Sequence, residues 1–173
     1  VLKQKKAPAI GYVPAGTTND FAQSIGLKFK PVNAATAIAE GKETEFDAGL
    51  FNDRNFIYVA SFGLFTESSY LTPQNQKNTL GHFAYILEGI KELSSVKSYK
   101  MRVECNGRVL EGDYIFGSVS NSTSIGGIMK LNSRIVKFND GVLELILIKT
   151  PKSAIDVTKI LYCLNNKVYD ENY

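Results

Sequence analysis

The stretch "GYVPAGTTNDFAQSIGL", residues 11–27, decides how the chain is read. An apolar run from Ala9 to Val13 stops at Pro14 and predicts a short buried strand. A turn of small residues follows, Ala15-Gly16-Thr17-Thr18. Thr18 or Asn19 is placed to cap a helix over Asp20 to Ile25, and Gly26 stops it. A strand, a glycine turn and a helix start in that order can present unpaired amides to an anion. The same features also describe a plain capped junction, in which Asp20 stabilises its helix from the first turn. Asp20 would repel a bare phosphate. It suits one approached through a cation, because Mg²⁺ is bound by carboxylates, waters and phosphate oxygens. The turn is not a Walker A loop, since G-x-x-x-x-G-K-[ST] occurs nowhere in the chain.

Outward from this stretch, Val32 to Glu40 has alanine-rich helical character and ends at Gly41. The first 41 residues thus read strand, helix, helix, which is α/β character too small to bury its own faces. From Thr44 the texture changes. "TEFDAGLFN" and "RNFIYVASFG" read as paired strands around a polar Asn52-Asp53-Arg54-Asn55 turn. Thr66 to Asn78 is polar, irregular or a short helix, and "LGHFAYILEGIKELSS" carries Phe83, Ile86, Leu87, Ile90 and Leu93 at helical spacing. Tyr99 to Leu110 alternates around Asn106-Gly107, a strong hairpin signal. "GDYIFGSVSNS" and "GVLELILIKTP" are further strands, and Pro151 ends the last. Ser153 then caps a final helix with Ala154, Val157, Leu161 and Leu164 on one face. The expected fold is an α/β stub of a nucleotide-binding domain, residues 1–43. A mainly antiparallel β-sandwich domain with peripheral helices follows, residues 44–173.

Composition sets the class. The 173 residues are 44% hydrophobic and 21% charged, as in a globular chain with a real core. A net charge of +3 is too mild for a nucleic-acid footprint, and the one basic cluster, Lys3, Lys5 and Lys6, reads as a solvated end. Cys105 and Cys163 match no metal spacing and are read as free thiols in a reducing compartment. No apolar run approaches the length of a membrane span, and no signal peptide is read at the start, which opens with Val. The single histidine, His82, opens the amphipathic helix and suits a surface or capping role. Without further histidines, metal-hydrolase and Ser-His-Asp chemistry are poor readings.

Here the residues also resemble a known family. "PAGTTNDFAQSIGL" is similar to the P-x-GT-x-NDFA motif of the diacylglycerol kinase catalytic family, which includes bacterial lipid kinases and, more distantly, sphingosine and NAD kinases. "FDAGLFNDRNFIYVASFGLFTESSY", "TPQNQKNTLGHFAYILEGIKEL" and "SNSTSIGGIMKLNSRIVKFNDGVLELILIKTP" resemble the family's later segments, in the same order. The resemblance implies an ATP-dependent kinase that phosphorylates the hydroxyl of diacylglycerol to phosphatidic acid, in phospholipid biosynthesis. It implies ATP and Mg²⁺ as cofactors. Gly16, Thr17, Thr18 and Asn19 would contact the nucleotide. Asp20 and Asp47 would be catalytic, ordering Mg²⁺ and water. A structural Mg²⁺ would be held by Asp140 with the carbonyls of Lys137 and Val142. Glu144, alternating with Leu143 and Leu145, reads as an outward strand residue. "SNSTSIGGI" could flank a lipid headgroup or be a plain loop.

The family's Gly-Gly-Asp-Gly-Thr nucleotide motif and its acidic, glycine-containing general-base motif are both absent here. The chain is therefore read as an internal fragment lacking both termini, and is expected to be inactive alone. The resemblance further implies a cytoplasmic protein working at the inner face of the membrane on a lipid substrate. Contact with the membrane would be peripheral and nucleic acid would not be a partner; a homodimer is left open. Three rivals stand beside this reading. One is a kinase of the same fold acting on a sphingoid base, phosphatidylglycerol or NAD. Another is a non-enzymatic lipid- or protein-binding member. The third is a plain α/β binding protein without nucleotide.

Overall fold

The computed structural model describes residues 9–16, 19–27, 33–64, 66, 96–127 and 129–173. Two short helices come first, α1 (Asp20–Ser24) and α2 (Ala34–Glu40). Helix α1 ends where Gly26 takes φ of 75°, and α2 ends at Gly41, so both glycine stops fall where the sequence puts them. Ala9 to Val13 is a different matter. It has no strand partner among the described residues, and Ile10 and Val13 are 66% and 45% exposed. A strand exists only through its pairing, so the expected buried strand is here an extended segment. It passes α2 closely at Gly11, where a Cβ would collide with the Ile38 side chain.

The β region begins with a hairpin, β1 (Gly49–Phe51) and β2 (Arg54–Phe56). Its turn is only Asn52-Asp53, with Asn52 at φ of 53°. The expected four-residue turn is too long, because Arg54 and Asn55 pair with Phe51 and Leu50. The expected second strand also breaks after Phe56. Strand β3 (Val59–Gly63) belongs to a different, four-stranded sheet.

That sheet is built on β5 (Arg108–Ser120). Its first half pairs with β4 (Tyr99–Cys105) across the Asn106-Gly107 turn, where both residues have positive φ. Its second half pairs with β3 and with β8 (Glu144–Lys149), all antiparallel. Between β5 and β8 lies a small hairpin of β6 (Ser124–Ile125) and β7 (Met129–Lys130).

One face of the sheet carries Phe116, Ser118 and Ser120, opposite Ile148, Ile146 and Glu144. The core sits on this side, with Ile125, Met129, Leu131 and Val136. Helix α3 (Ala154–Asn166) adds Val157 and Ile160 to it. Ser153 caps this helix, its Oγ accepting from Asp156 N. Ala154 faces solvent, and Ile160 takes the inward place expected of it. Ala154 is the first residue of the helix, and the buried stripe is carried by Val157, Ile160, Leu161 and Leu164. The fold is thus a mainly antiparallel, sandwich-like domain with peripheral helices, preceded among the described residues by an extended segment and two short helices.

A row of aromatic rings ties the two parts together. Tyr12 meets Phe21 of α1 edge-on at 5.1 Å between centroids. Phe21 meets Phe46 at 5.6 Å, and Phe46 meets Phe138 at 5.5 Å. Such tilted pairs add attraction beyond their buried area. The segment 66–95, apart from Thr66, and with it His82 and the expected amphipathic helix, lies outside the described residues. Thr17 and Thr18 lie outside them too.

Candidate functional site: two acidic groups around one serine-rich loop

The turn before α1 is closed on itself. Asn19 sits in the left-handed region at φ of 51° and makes no capping bond with its side chain. Its Oδ1 instead accepts from Gly16 N at 2.8 Å. Of the two residues expected to cap, Asn19 therefore does not, because its side chain is turned back onto Gly16, and Thr18 lies outside the described residues. The expected phosphate contact at Gly16 also needs qualification in physical terms: this amide already has an acceptor, which an anion would displace.

Asp20 is held across the molecule. It is 7% exposed, and its Oδ1 accepts from Ser124 Oγ at 2.5 Å and from Gly127 N at 3.2 Å. The hydroxyl of Tyr58 accepts from Gly126 N at 2.9 Å, beside the Gly127 amide that Asp20 accepts from. Burial pushes the Tyr58 phenol far above the ordinary tyrosine range, and the negative charge of Asp20 pushes it the same way. The loop behind Ser124 is itself bonded. Ser122 Oγ donates to Ser124 O at 2.6 Å and accepts from Ser124 N at 3.1 Å. Ser24, four residues along α1 from Asp20, accepts from Thr123 N and Thr123 Oγ1, and meets Ser122 Oγ at 2.7 Å.

Asp47 builds the second group. Its backbone N donates to Phe138 O at 2.7 Å, and its Oδ2 accepts from Gly141 N at 2.7 Å. Asp140 closes the same loop by accepting at Oδ1 from Val142 N at 3.1 Å. Asn121, fully buried, bridges the parts: its Nδ2 donates to Asp47 O at 3.1 Å and to Phe138 O at 3.0 Å. Its backbone N donates to Tyr58 O, so the Asp47 group and the Asp20 group share the segment Asn121–Gly127.

Glu144 is not an outward residue. It lies opposite Ser120 on the core-side face, and its Oε2 is buried without a partner among the described residues. Alternation fixes that neighbours oppose each other, but not which face is inside. Its carboxyl is pushed up, first by desolvation and then by the charge of Asp140. Asn121 Oδ1 is likewise buried and unpartnered.

These oxygens bear on the expected Mg²⁺. Among the described residues, no three His, Cys, Asp or Glu side chains are grouped to hold a metal ion. A loop offering one carboxylate, Asp140, with main-chain oxygens at Lys137 and Val142, still has the hard donor chemistry Mg²⁺ takes when it keeps its waters. The set fits such an ion, and fits no thiolate- or imidazole-bound metal. Cys105 and Cys163 are both free and half-buried. Sequence reasoning missed Tyr58, and read Asn121, Ser124 and Gly127 only as part of a run that could flank a lipid headgroup or be a plain loop. The only local signal was the run of hydroxyl and amide residues ending in Gly126-Gly127.

The fold and site define a protein in which a short acidic helix start docks on the serine-rich loop of an antiparallel β domain. Residues 1–51 match the family model of the diacylglycerol kinase catalytic domain. Over 154 residues, 89% of the chain, the sequence is 32% identical to the diacylglycerol kinases of Staphylococcus aureus strains JH9 and Newman, covering 49% of each. The fold superposes on a Bacillus anthracis (strain Sterne) diacylglycerol kinase with a TM-score of 0.67 at 22% identity, covering 98% of this chain and 54% of that one. The chain therefore spans about half the length of the relatives it matches. In sequence it is similar to the diacylglycerol kinase catalytic family, and in fold to a diacylglycerol kinase. No helix among the described residues is long and apolar enough to cross a membrane.

Proposed function

We propose that the whole protein transfers the γ-phosphoryl of ATP to the hydroxyl of a diacylglycerol, giving phosphatidic acid. The observation that supports this most is that one loop system, 121–142, takes hold of two acidic residues from elsewhere in the chain, Asp20 through Ser124 and Asp47 through Gly141, and carries a third, Asp140. Phosphoryl transfer needs positioning and charge neutralisation more than covalent chemistry from the protein. In this reading Asp20 and Asp47 orient the metal and water at the reacting phosphate. The Gly16–Asn19 turn borders the nucleotide. Asp140, with the carbonyls of Lys137 and Val142, anchors the loop that Asp47 holds. Mg²⁺ supplies neutralisation of phosphate charge when bound. The acceptor is a membrane lipid, so the protein works at the inner face of the membrane as a peripheral visitor.

The test is phosphorylation of diacylglycerol in mixed micelles with radiolabelled ATP, using the whole protein. Phosphatidic acid should form, and Asp20→Asn and Asp47→Asn should each lose most of the rate while remaining folded. An unchanged rate in Asp20→Asn removes that residue from the site. Faster labelling of a sphingoid base, phosphatidylglycerol or NAD than of diacylglycerol overturns the acceptor.

A further inference from the structure

The two hydrogen bonds that hold the Asp20 carboxylate come from the β region, not from its own helix. A carboxylate serving only to stabilise a helix start would be directed at the first-turn amides. Here two donors converge on its Oδ1: a serine hydroxyl and a backbone amide. A backbone amide alone would tether the carboxylate and still let it swing about its side-chain torsions, whereas a second donor from a side chain restrains that swing. The segment that carries both donors is in turn braced. Ser124 is braced by Ser122 at both its N–H and its carbonyl. The Tyr58 hydroxyl accepts from Gly126 N, which braces the Gly126-Gly127 turn whose Gly127 amide donates to Asp20.

We propose that Tyr58 and Ser124 are positioning residues that act through Asp20, holding its carboxylate in the orientation used for phosphoryl transfer. The inference rests on the reading of Asp20 as a group of the reacting centre. It adds two residues to that centre, neither of which touches the substrate. Groups that orient a functional carboxylate change rate more than affinity, because small misplacements are felt in the transition state. Their loss commonly lowers activity by about 10–100-fold.

The experiment uses the whole protein and the variants Tyr58→Phe, Ser124→Ala, Ser124→Thr and Asp20→Asn. Tyr58→Phe and Ser124→Ala should each lower kcat by about 10-fold, with KM for ATP and for diacylglycerol little changed. Ser124→Thr keeps a hydroxyl and should recover most of the rate. The double variant Asp20→Asn with Tyr58→Phe should be no slower than Asp20→Asn alone, because a positioning residue has nothing left to position. Three results overturn the proposal. One is wild-type kcat in both Tyr58→Phe and Ser124→Ala while Asp20→Asn is inactive. Another is multiplicative loss in the double variant. The third is loss of rate that only follows loss of folded protein in a melting curve. Wild-type rate in Asp20→Asn itself instead overturns the parent reading of Asp20, so the two failures are distinguishable.

Discussion

Replacing Asn121 by Ala should cost the chain about 2–3 kcal/mol, and the figure follows from the bonds that disappear. Asn121 is fully buried, and its Nδ2 donates to Asp47 O and to Phe138 O. Each net hydrogen bond is worth about 1 kcal/mol, which gives about 2 kcal/mol for the pair. Phe138 O keeps its second donor, Asp47 N, and is not orphaned. The Asp47 carbonyl loses its amide donor, which adds part of a desolvation penalty. The other side-chain atom, Oδ1, has no partner among the described residues, so its removal offsets a little of the loss. Urea unfolding followed by far-ultraviolet circular dichroism measures the result. The midpoint should fall with an unchanged slope, and the melting temperature should drop by about 5–10 °C for a chain of this size. Asn121→Asp is the sharper comparison. It keeps the shape but presents an acceptor, and at neutral pH a charge, to two carbonyls, so it should cost more than the alanine variant. A change below about 0.5 kcal/mol in Asn121→Ala, or an aspartate variant as stable as the alanine one, would refute the bridging role.

Other expectations are more local. Gly63 holds φ of 87° and a Cβ there would run into the Ile115 carbonyl, so Gly63→Ala should destabilise by about 3 kcal/mol in the same urea assay. Ser153→Ala removes the acceptor for Asp156 N and should cost about 1 kcal/mol, seen as a lower melting temperature. The Asp156 carboxyl is held below the usual range, chiefly by the N–H of Lys152. Its stabilisation is therefore full above the unfolded value of about 3.9 and is lost as pH falls through the lower folded value. Asp156→Asn should flatten that acid limb of the stability profile, and an unchanged limb would contradict the assignment.

What the sequence revealed divides along the distance over which each feature is decided. The Asn106-Gly107 hairpin, the Ser153 cap, the Gly26 stop and the Pro151 end of β8 depend on neighbours within a few residues, and each stands where local chemistry puts it. Asn19 is one local exception, since two competing uses of one side chain, capping forward or bonding back to Gly16, look alike in a string of letters. The extended segment Ala9–Val13 needed a partner strand that no local rule supplies. Glu144 needed the identity of the inner face, which comes from Ser120 across the ladder. The acidic groups themselves were legible through a resemblance of motifs. Their holders were not, because Ser124 and Asp20 are 104 residues apart and a serine-rich run reads equally as solvent-facing loop.

The aromatic row from Tyr12 through Phe21 and Phe46 to Phe138 has an experimental consequence of its own. The chain contains no tryptophan. An indole placed at Phe46 would therefore be its sole long-wavelength emitter, seated between the ring of α1 and the ring of the loop that Asp47 and Asn121 hold. Its emission colour would register water entering that seam, and its anisotropy would register the seam loosening. The junction between the helical segments and the β region could thus be watched continuously, in solution, without attaching a dye.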